Sequence, residues 1–229
     1  MHDIRKIDLQ EGILDENDHI AQHVREHMTD HGILVVNEMG APGVGKTTTL
    51  KNIFKHMTLK PYVIEGDIES DLDTVDLQNL GVEAHQINTY GACHLDAPMI
   101  EHATHHIPFD EPGIMFIENI GNLVCPAEFT IGEHVLMLVS TVTEGSDKPY
   151  KYPLAFEKAD IIIACAGNAG FDESYQVSSE ATVADIGGDF KNPEKLGCKY
   201  LIPAIGGVGP LTRAFLMDHL FLKAFTPTL

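Results

Sequence analysis

One segment limits what this chain can become more than any other: Gly40-Ala41-Pro42-Gly43-Val44-Gly45-Lys46-Thr47, which matches G-x-x-x-x-G-K-[ST]. It follows the β-branched run Ile33-Leu34-Val35-Val36-Asn37 and precedes a helical stretch over residues 47–56. Glycines in such a loop let backbone N–H groups turn inward around phosphates, and the helix behind it presents its positive end. An ordinary turn before a helix is the plain alternative, but the strand, loop and helix context that the motif demands is present. The predicted nucleotide set is Gly40, Gly43, Val44, Gly45, Lys46, Thr47 and Thr48, with Lys46 on the β/γ-phosphate oxygens and the Thr47 hydroxyl on Mg²⁺.

The rest of the chain repeats that alternation. Ile20, Val24 and Met28 recur every fourth position, which predicts an amphipathic helix over residues 18–31, closed by Gly32. Short apolar runs over 62–64, 84–87, 114–117, 135–142, 161–165, 182–186 and 200–203 alternate with helical or loop segments, and residues 211–225 form an apolar-rich closing helix. The expected fold is α/β: a mostly parallel sheet with helices on both faces, P-loop NTPase-like, in a single domain over residues 1–229.

Charge and cysteine usage narrow the partners. A formal charge of −19, from 34 acids against 15 bases, repels a phosphate backbone, so nucleic acid is excluded as a partner, whereas divalent cations are attracted. The first residues have no basic start or apolar cleavage-site pattern, and no run approaches the length of a membrane span, so the expected location is the cytoplasm and no membrane partner is expected. Cys93, Cys125, Cys165 and Cys198 are too scattered for a disulfide framework, which favours reduced thiols and a metal.

Two acids at strand ends, Asp67 and Glu118, suit a Walker-B-like role beside the loop, although strand ends are also acidic for solubility. Gly121 follows Glu118, placed to sense a γ-phosphate through its N–H. Adjacent Cys93 and His94 together with Cys125 supply two sulfurs and one nitrogen, a set suited to Ni²⁺ or Zn²⁺ with one position left open for water or a second subunit. His19, His23, His27 and His31 fall at successive i, i+4 positions, as do His102 and His106; each set reads as a solvated stripe in preference to a chelator.

Residues 4 to about 160 resemble the HypB family, GTPases that help insert nickel into hydrogenases, related to the urease GTPase UreG. The resemblance rests on the phosphate loop, on Val63-Ile64-Glu65-Gly66-Asp67, on Cys93-His94-Leu95-Asp96-Ala97, on Phe116-Ile117-Glu118-Asn119-Ile120-Gly121-Asn122-Leu123-Val124-Cys125-Pro126, and on Gly145-Ser146-Asp147-Lys148-Pro149. It implies GTP hydrolysis with Mg²⁺, catalytic roles for Lys46, Asp67 and Glu118, and Mg²⁺ held by Thr47 and Asp67. It also implies nickel or zinc on Cys93, His94 and Cys125 at a nucleotide-dependent homodimer interface, and hydrogenase maturation proteins as partners. The family places N-K-x-D after the next strand; this chain reads Cys165-Ala166-Gly167-Asn168-Ala169-Gly170 there. Without that carboxylate, guanine's donors lose several kcal/mol of discrimination, so the choice of GTP over ATP is left open.

From about 159 to 225 the chain instead resembles the last part of FolD, the methylenetetrahydrofolate dehydrogenase/cyclohydrolase. Ala159-Asp160-Ile161-Ile162-Ile163, Val183-Ala184-Asp185-Ile186-Gly187 and Pro203-Ala204-Ile205-Gly206-Gly207-Val208-Gly209-Pro210-Leu211-Thr212 carry that likeness. It implies a seam near 159–160 between two blocks. The alternative functions are a nucleotide- and metal-binding module without useful turnover, or an NAD(P)-binding remnant.

Overall fold

The computed structural model describes residues 9–55, 57–67, 72–141, 145, 147–165 and 176–202. The expected closing helix over 211–225, the glycine-rich segment from 203 and the Gly167 to Gly170 stretch lie outside the described residues. Eight strands form one sheet: β1 (Ile33–Met39), β2 (Lys60–Asp67), β3 (Glu83–Asn88), β4 (Gly113–Glu118), β5 (Val135–Ser140), β6 (Ile161–Ala164), β7 (Thr182–Asp185) and β8 (Tyr200–Ile202). Their order is β3-β2-β4-β1-β5-β6-β7-β8, and all the paired neighbours are parallel.

Every apolar run expected to be a strand is one, because each is short, β-branched and flanked by helix or turn residues. Differences fall at the ends. β5 stops at Ser140, and α1 (Leu9–Asp30) starts well before residue 18. Gly32 closes that helix in the left-handed conformation at φ +69.

α1 and α4 (Ala97–Thr104) cover one face of β1, β2 and β4, where Val24, Met28, Tyr62, Ile64, Leu95, Ile100, Met115 and Ile117 pack together. The Asn17 side chain fastens the two helices, accepting the Ala97 N–H at 3.0 Å and donating to the Thr130 carbonyl at 2.7 Å. On the opposite face, α2 (Lys46–Phe54) and α3 (Leu72–Asn79) bring Leu50, Ile53 and Leu77 onto Val36, Val63, Phe116 and Met137. Burial on both faces is why these strands are apolar without strict alternation.

The sheet runs through the expected seam. Asp160 bonds to both sides of it: its carboxylate accepts the Leu136 N–H at 2.8 Å, its own N–H donates to the Leu136 carbonyl at 2.9 Å, and its carbonyl accepts the Thr182 N–H at 2.8 Å. Ala159 beside it is fully buried. Asp160, just before β6, therefore ties β5 and β7 to it.

β1 is the centre of the order, with β4 on one side and β5 on the other, so the chain leaves β1 at a topological switch point where such sheets open a crevice at their carboxyl ends. Gly113 sets the spacing on one flank of this centre: a Cβ there meets the Lys60 carbonyl oxygen at 2.2 Å. Gly113→Ala must push β2 from β4, and we expect a loss of about 2 kcal/mol or more in urea unfolding; an unchanged midpoint would show that the strand pair yields freely.

Candidate nucleotide and metal site

The phosphate loop leaves β1 at its carboxyl end. Gly43 and Gly45 stand at φ +76 and +98, where a side chain is strained, and Gly40 is pinned for another reason, since a Cβ there meets the Val139 carbonyl oxygen at 2.8 Å. Gly45 ends the loop and begins α2 without a capping side chain, so the first N–H groups of that helix face the crevice with Lys46 and Thr47.

Glu118, the last residue of β4, reaches these two residues. Its Oε1 accepts from the Thr47 hydroxyl at 2.9 Å and lies 4.0 Å from Lys46 Nζ, with Lys46 and Glu118 both buried. The structure thus brings together three predicted residues, of which Thr47 and Glu118 lie 71 positions apart. Asp67 ends β2 opposite Asn88 of β3, two residues beyond the Glu65 that pairs with Glu118; its side chain lies outside the described residues.

Parallel register adds what spacing did not reveal. Glu65, Glu118 and Glu38 are aligned across β2, β4 and β1, and all three are buried. Glu65 accepts from the Thr74 hydroxyl of α3. Glu38 is fully buried, and neither of its carboxylate oxygens has a hydrogen-bond partner among the described residues. Burial first, then the Glu118 charge, push its carboxyl well above the usual range, against the opposing pull of Lys46. Sequence reading passed over Glu38, although an acid inside an apolar strand was the available signal. Hard oxygen donors crowded around one lysine fit a divalent cation such as Mg²⁺.

The segment after Glu118 links this crevice to the sulfur cluster. Gly121 lies against the loop so closely that a Cβ meets Pro42 at 2.8 Å, and Gly40 forms an antiparallel bridge with Asn122. Buried Asn119 donates to the Asn37 side chain at 3.3 Å and accepts the Leu95 N–H at 3.1 Å. Asn122 donates to the Cys93 carbonyl at 3.2 Å while accepting the Val124 N–H at 2.9 Å. Neither asparagine had been assigned a role from sequence.

Cys93, His94 and Cys125 converge as their types suggested: Sγ to Sγ is 3.3 Å, Cys93 Sγ to His94 Nδ1 is 3.6 Å, and all three ligand atoms lie within 4.8 Å of one another. Cys125 opens the short α5 (Cys125–Glu128), and the His94 ring rests on Phe129 at 4.4 Å between centroids. The hydrogen bond with Cys93 and then burial raise the Cys125 thiol above its ordinary value, so a cation held there must displace that proton. The cluster borders solvent, with Cys93 exposed and Tyr90 and Val124 near it in sequence at 91% and 46% exposure.

Among known proteins, residues 33–165 match the model of the CobW/HypB/UreG nucleotide-binding domain. This chain belongs to that family. It is 42% identical over 161 residues to the hydrogenase maturation factor HypB of Rhizobium leguminosarum bv. viciae, covering 69% of this chain and 54% of that protein. It is 40% identical over 163 residues to the hydrogenase/urease maturation factor HypB of Helicobacter pylori (strain J99), and there it covers 67% of the relative. The chain thus spans little more than half the length of the first of these relatives. The crystal structure of Helicobacter pylori HypB in complex with nickel superposes with a TM-score of 0.70 at 31% identity, covering 91% of this chain and 95% of that one. A second family model, the NAD(P)-binding domain of tetrahydrofolate dehydrogenase/cyclohydrolase, matches residues 124–226. That likeness begins upstream of 159 and overlaps the first match over residues 124–165. No helix among the described residues is long and apolar enough to cross a membrane.

The unpartnered Glu38 makes a pH-dependent prediction. With its folded pKa above the unfolded value of 4.5, the native state holds more protons than the unfolded chain between those two values, so stability falls as pH rises through that window. Glu38→Gln removes this slope. In Mg²⁺- and nucleotide-free urea unfolding, the variant should gain on the natural chain as pH rises from 5 to 7; parallel pH curves for the two proteins would rule the burial argument out.

Proposed function

We propose that this chain is a Mg²⁺-dependent P-loop GTPase acting in nickel delivery for hydrogenase maturation. One observation carries the reading: the segment from Glu118 to Cys125 touches the phosphate loop at one end and supplies a sulfur ligand at the other. Nucleotide and metal are therefore read by one short piece of chain. Family membership and the nickel-bound structure of a relative support it.

In this reading the loop N–H groups and Lys46 hold the β/γ-phosphate oxygens, and Thr47, Glu118 and Asp67 hold Mg²⁺. When bound, that ion neutralises charge on the terminal phosphates. Glu118 is already engaged with the Thr47 hydroxyl and Lys46, so phosphate entering between them changes what Glu118 bonds to. Gly121, packed on Pro42, would sense the γ-phosphate through its N–H in this reading, and a displacement there would move Asn122 and with it the Cys93 carbonyl. Opposed sulfurs with an imidazole suit Ni²⁺ or Zn²⁺ as cargo. Exposed Tyr90 and Val124 favour a second copy completing the open position, giving a nucleotide-dependent homodimer, with hydrogenase maturation proteins as the receiving partners in the cytoplasm.

Base selection is the point of departure. Residues 166–170, where N-K-x-D is expected, read Ala166-Gly167-Asn168-Ala169-Gly170 and lie outside the described residues. The match of residues 124–226 to an NAD(P)-binding domain supports a second reading, a dinucleotide-binding remnant. Calorimetry with Mg²⁺·GTP, Mg²⁺·ATP and NADP⁺ separates the readings. We expect both triphosphates to bind, with GTP favoured less than about tenfold, and Lys46→Ala to weaken them by about 2 kcal/mol or more. Binding of NADP⁺ alone would overturn the proposal in favour of the remnant. GTP hydrolysis that ceases in Lys46→Ala distinguishes an enzyme from a module without turnover.

A further inference from the structure

Two thiols that lie 32 residues apart in the chain touch in the fold. Cys93 Sγ is 3.3 Å from Cys125 Sγ, a distance at which one thiol donates its hydrogen to the other sulfur. Cys93 is exposed and Cys125 is half-buried, so one sulfur meets solutes and the other stands just behind it.

A single residue fastens the backbones that carry them. Asn122 donates to the Cys93 carbonyl at 3.2 Å and accepts the Val124 N–H at 2.9 Å, so its side chain spans from Cys93 to the residue before Cys125. Beyond Cys93, the Leu95 N–H is held by buried Asn119 at 3.1 Å. Beyond Cys125, the Phe129 N–H donates to the Cys125 carbonyl at 3.3 Å and closes α5. Anchored chain on both sides, and not a chance meeting of loose side chains, therefore brings the sulfurs together.

Little movement separates this contact from a covalent bond. The S–S bond of a disulfide is about 2.05 Å long, so roughly 1.2 Å must be closed from the present 3.3 Å. Shared between the two side chains, that is a turn of about 20° at each χ1, less than the ~30° at which rotamer strain sets in. The other two cysteines are placed differently. Cys165 Sγ faces the Val44 and Ser140 carbonyls at 3.9 and 3.8 Å, and Cys198 packs on the apolar cluster that includes Ile162 and Val183. An accessible thiol with a second one directly behind it is the arrangement of a redox-sensing dithiol, in which the first sulfur is oxidised and the second resolves it.

We propose that Cys93 and Cys125 are a reversible dithiol–disulfide pair, converted by a small-molecule disulfide such as glutathione disulfide into an internal bridge and restored by thiols. The exposed Cys93 sulfur attacks one sulfur of glutathione disulfide, forming a mixed disulfide and releasing one glutathione. The Cys125 sulfur then attacks the Cys93 sulfur and releases the second. The two protein thiols give up two electrons and two protons, and the oxidant takes them up as two molecules of reduced glutathione. The bridge uses both sulfurs of the cluster, so His94 alone keeps its donor atom, and a cation on both sulfurs blocks the bridge in turn. This mutual exclusion rests on the metal reading given above; the bridge itself does not.

The test treats the reduced full chain with glutathione disulfide, alkylates the remaining thiols and maps the peptides by mass spectrometry. Two of the four thiols should disappear, with the Cys93 and Cys125 peptides joined within one chain, and dithiothreitol should restore both. Cys165→Ser/Cys198→Ser should form the bridge at the natural rate, and Cys125→Ser should stop at the mixed disulfide on Cys93. One equivalent of Zn²⁺, which has no redox chemistry of its own, should slow bridging by about tenfold or more. Four thiols left free, a lasting mixed disulfide on Cys93 of the natural chain, or cross-linked dimers in place of the internal bridge would each overturn the proposal. A bridge that forms equally fast with Zn²⁺ or Ni²⁺ present would uphold the dithiol pair and overturn the metal reading of the cluster.

Discussion

Buried negative charge at the carboxyl ends of the central strands governs this structure. Glu38 and Glu118 stand side by side on β1 and β4, with Glu65 next in line on β2, and Lys46 is the cation in contact with Glu118. A low-dielectric site with more carboxylate than ammonium is unfavourable until a proton or a metal ion enters. The same crowding makes the crevice receptive to a divalent cation. In the proposed function the phosphate loop and the helix that starts after Gly45 hold the triphosphate beside that charge, and the ion and the triphosphate would each make the other easier to bind.

From this crevice the coupling to the sulfur cluster needs no long path. Asn119 and Asn122 are the links: one ties β1 to the segment before α4, the other holds the Cys93 carbonyl. Between them Gly121 fits under Pro42 with no room for a side chain. These contacts join Glu118 to Cys93 and Cys125 through a few consecutive residues. In the proposed function, close packing with glycine at the tightest point would pass a local change of charge on to Cys93 and Cys125.

The carboxyl-terminal strands continue the parallel sheet at its flank. Residues 124–226 match a dinucleotide-binding domain, yet β6, β7 and β8 extend the sheet of a nucleotide-binding family without a break in register. Asp160 supplies the bonds at the junction with its backbone and its carboxylate. Parallel strand pairing depends on backbone groups and a buried apolar face, which both kinds of block provide.

The eight strands and the phosphate loop were readable from local sequence, because β-branched runs, glycine positions and the Gly-Lys-Thr ending encode backbone geometry over a few residues. The ligand types at Cys93, His94 and Cys125 were readable for the same reason, since sulfur and imidazole carry their chemistry with them. Register was not. Which carboxylates lie in one row, that Glu38 is enclosed beside Glu118, and that His105 approaches His27 depend on how β1 meets β4 and how α1 meets α4. Those pairings are set by packing between segments some 80 residues apart along the chain, as the 82-residue separation of Asn37 and Asn119 illustrates. Sequence determined the elements and the kinds of donor they carry; the tertiary structure decided which donors share a site, because contact across the sheet and between helices is made only when the core closes.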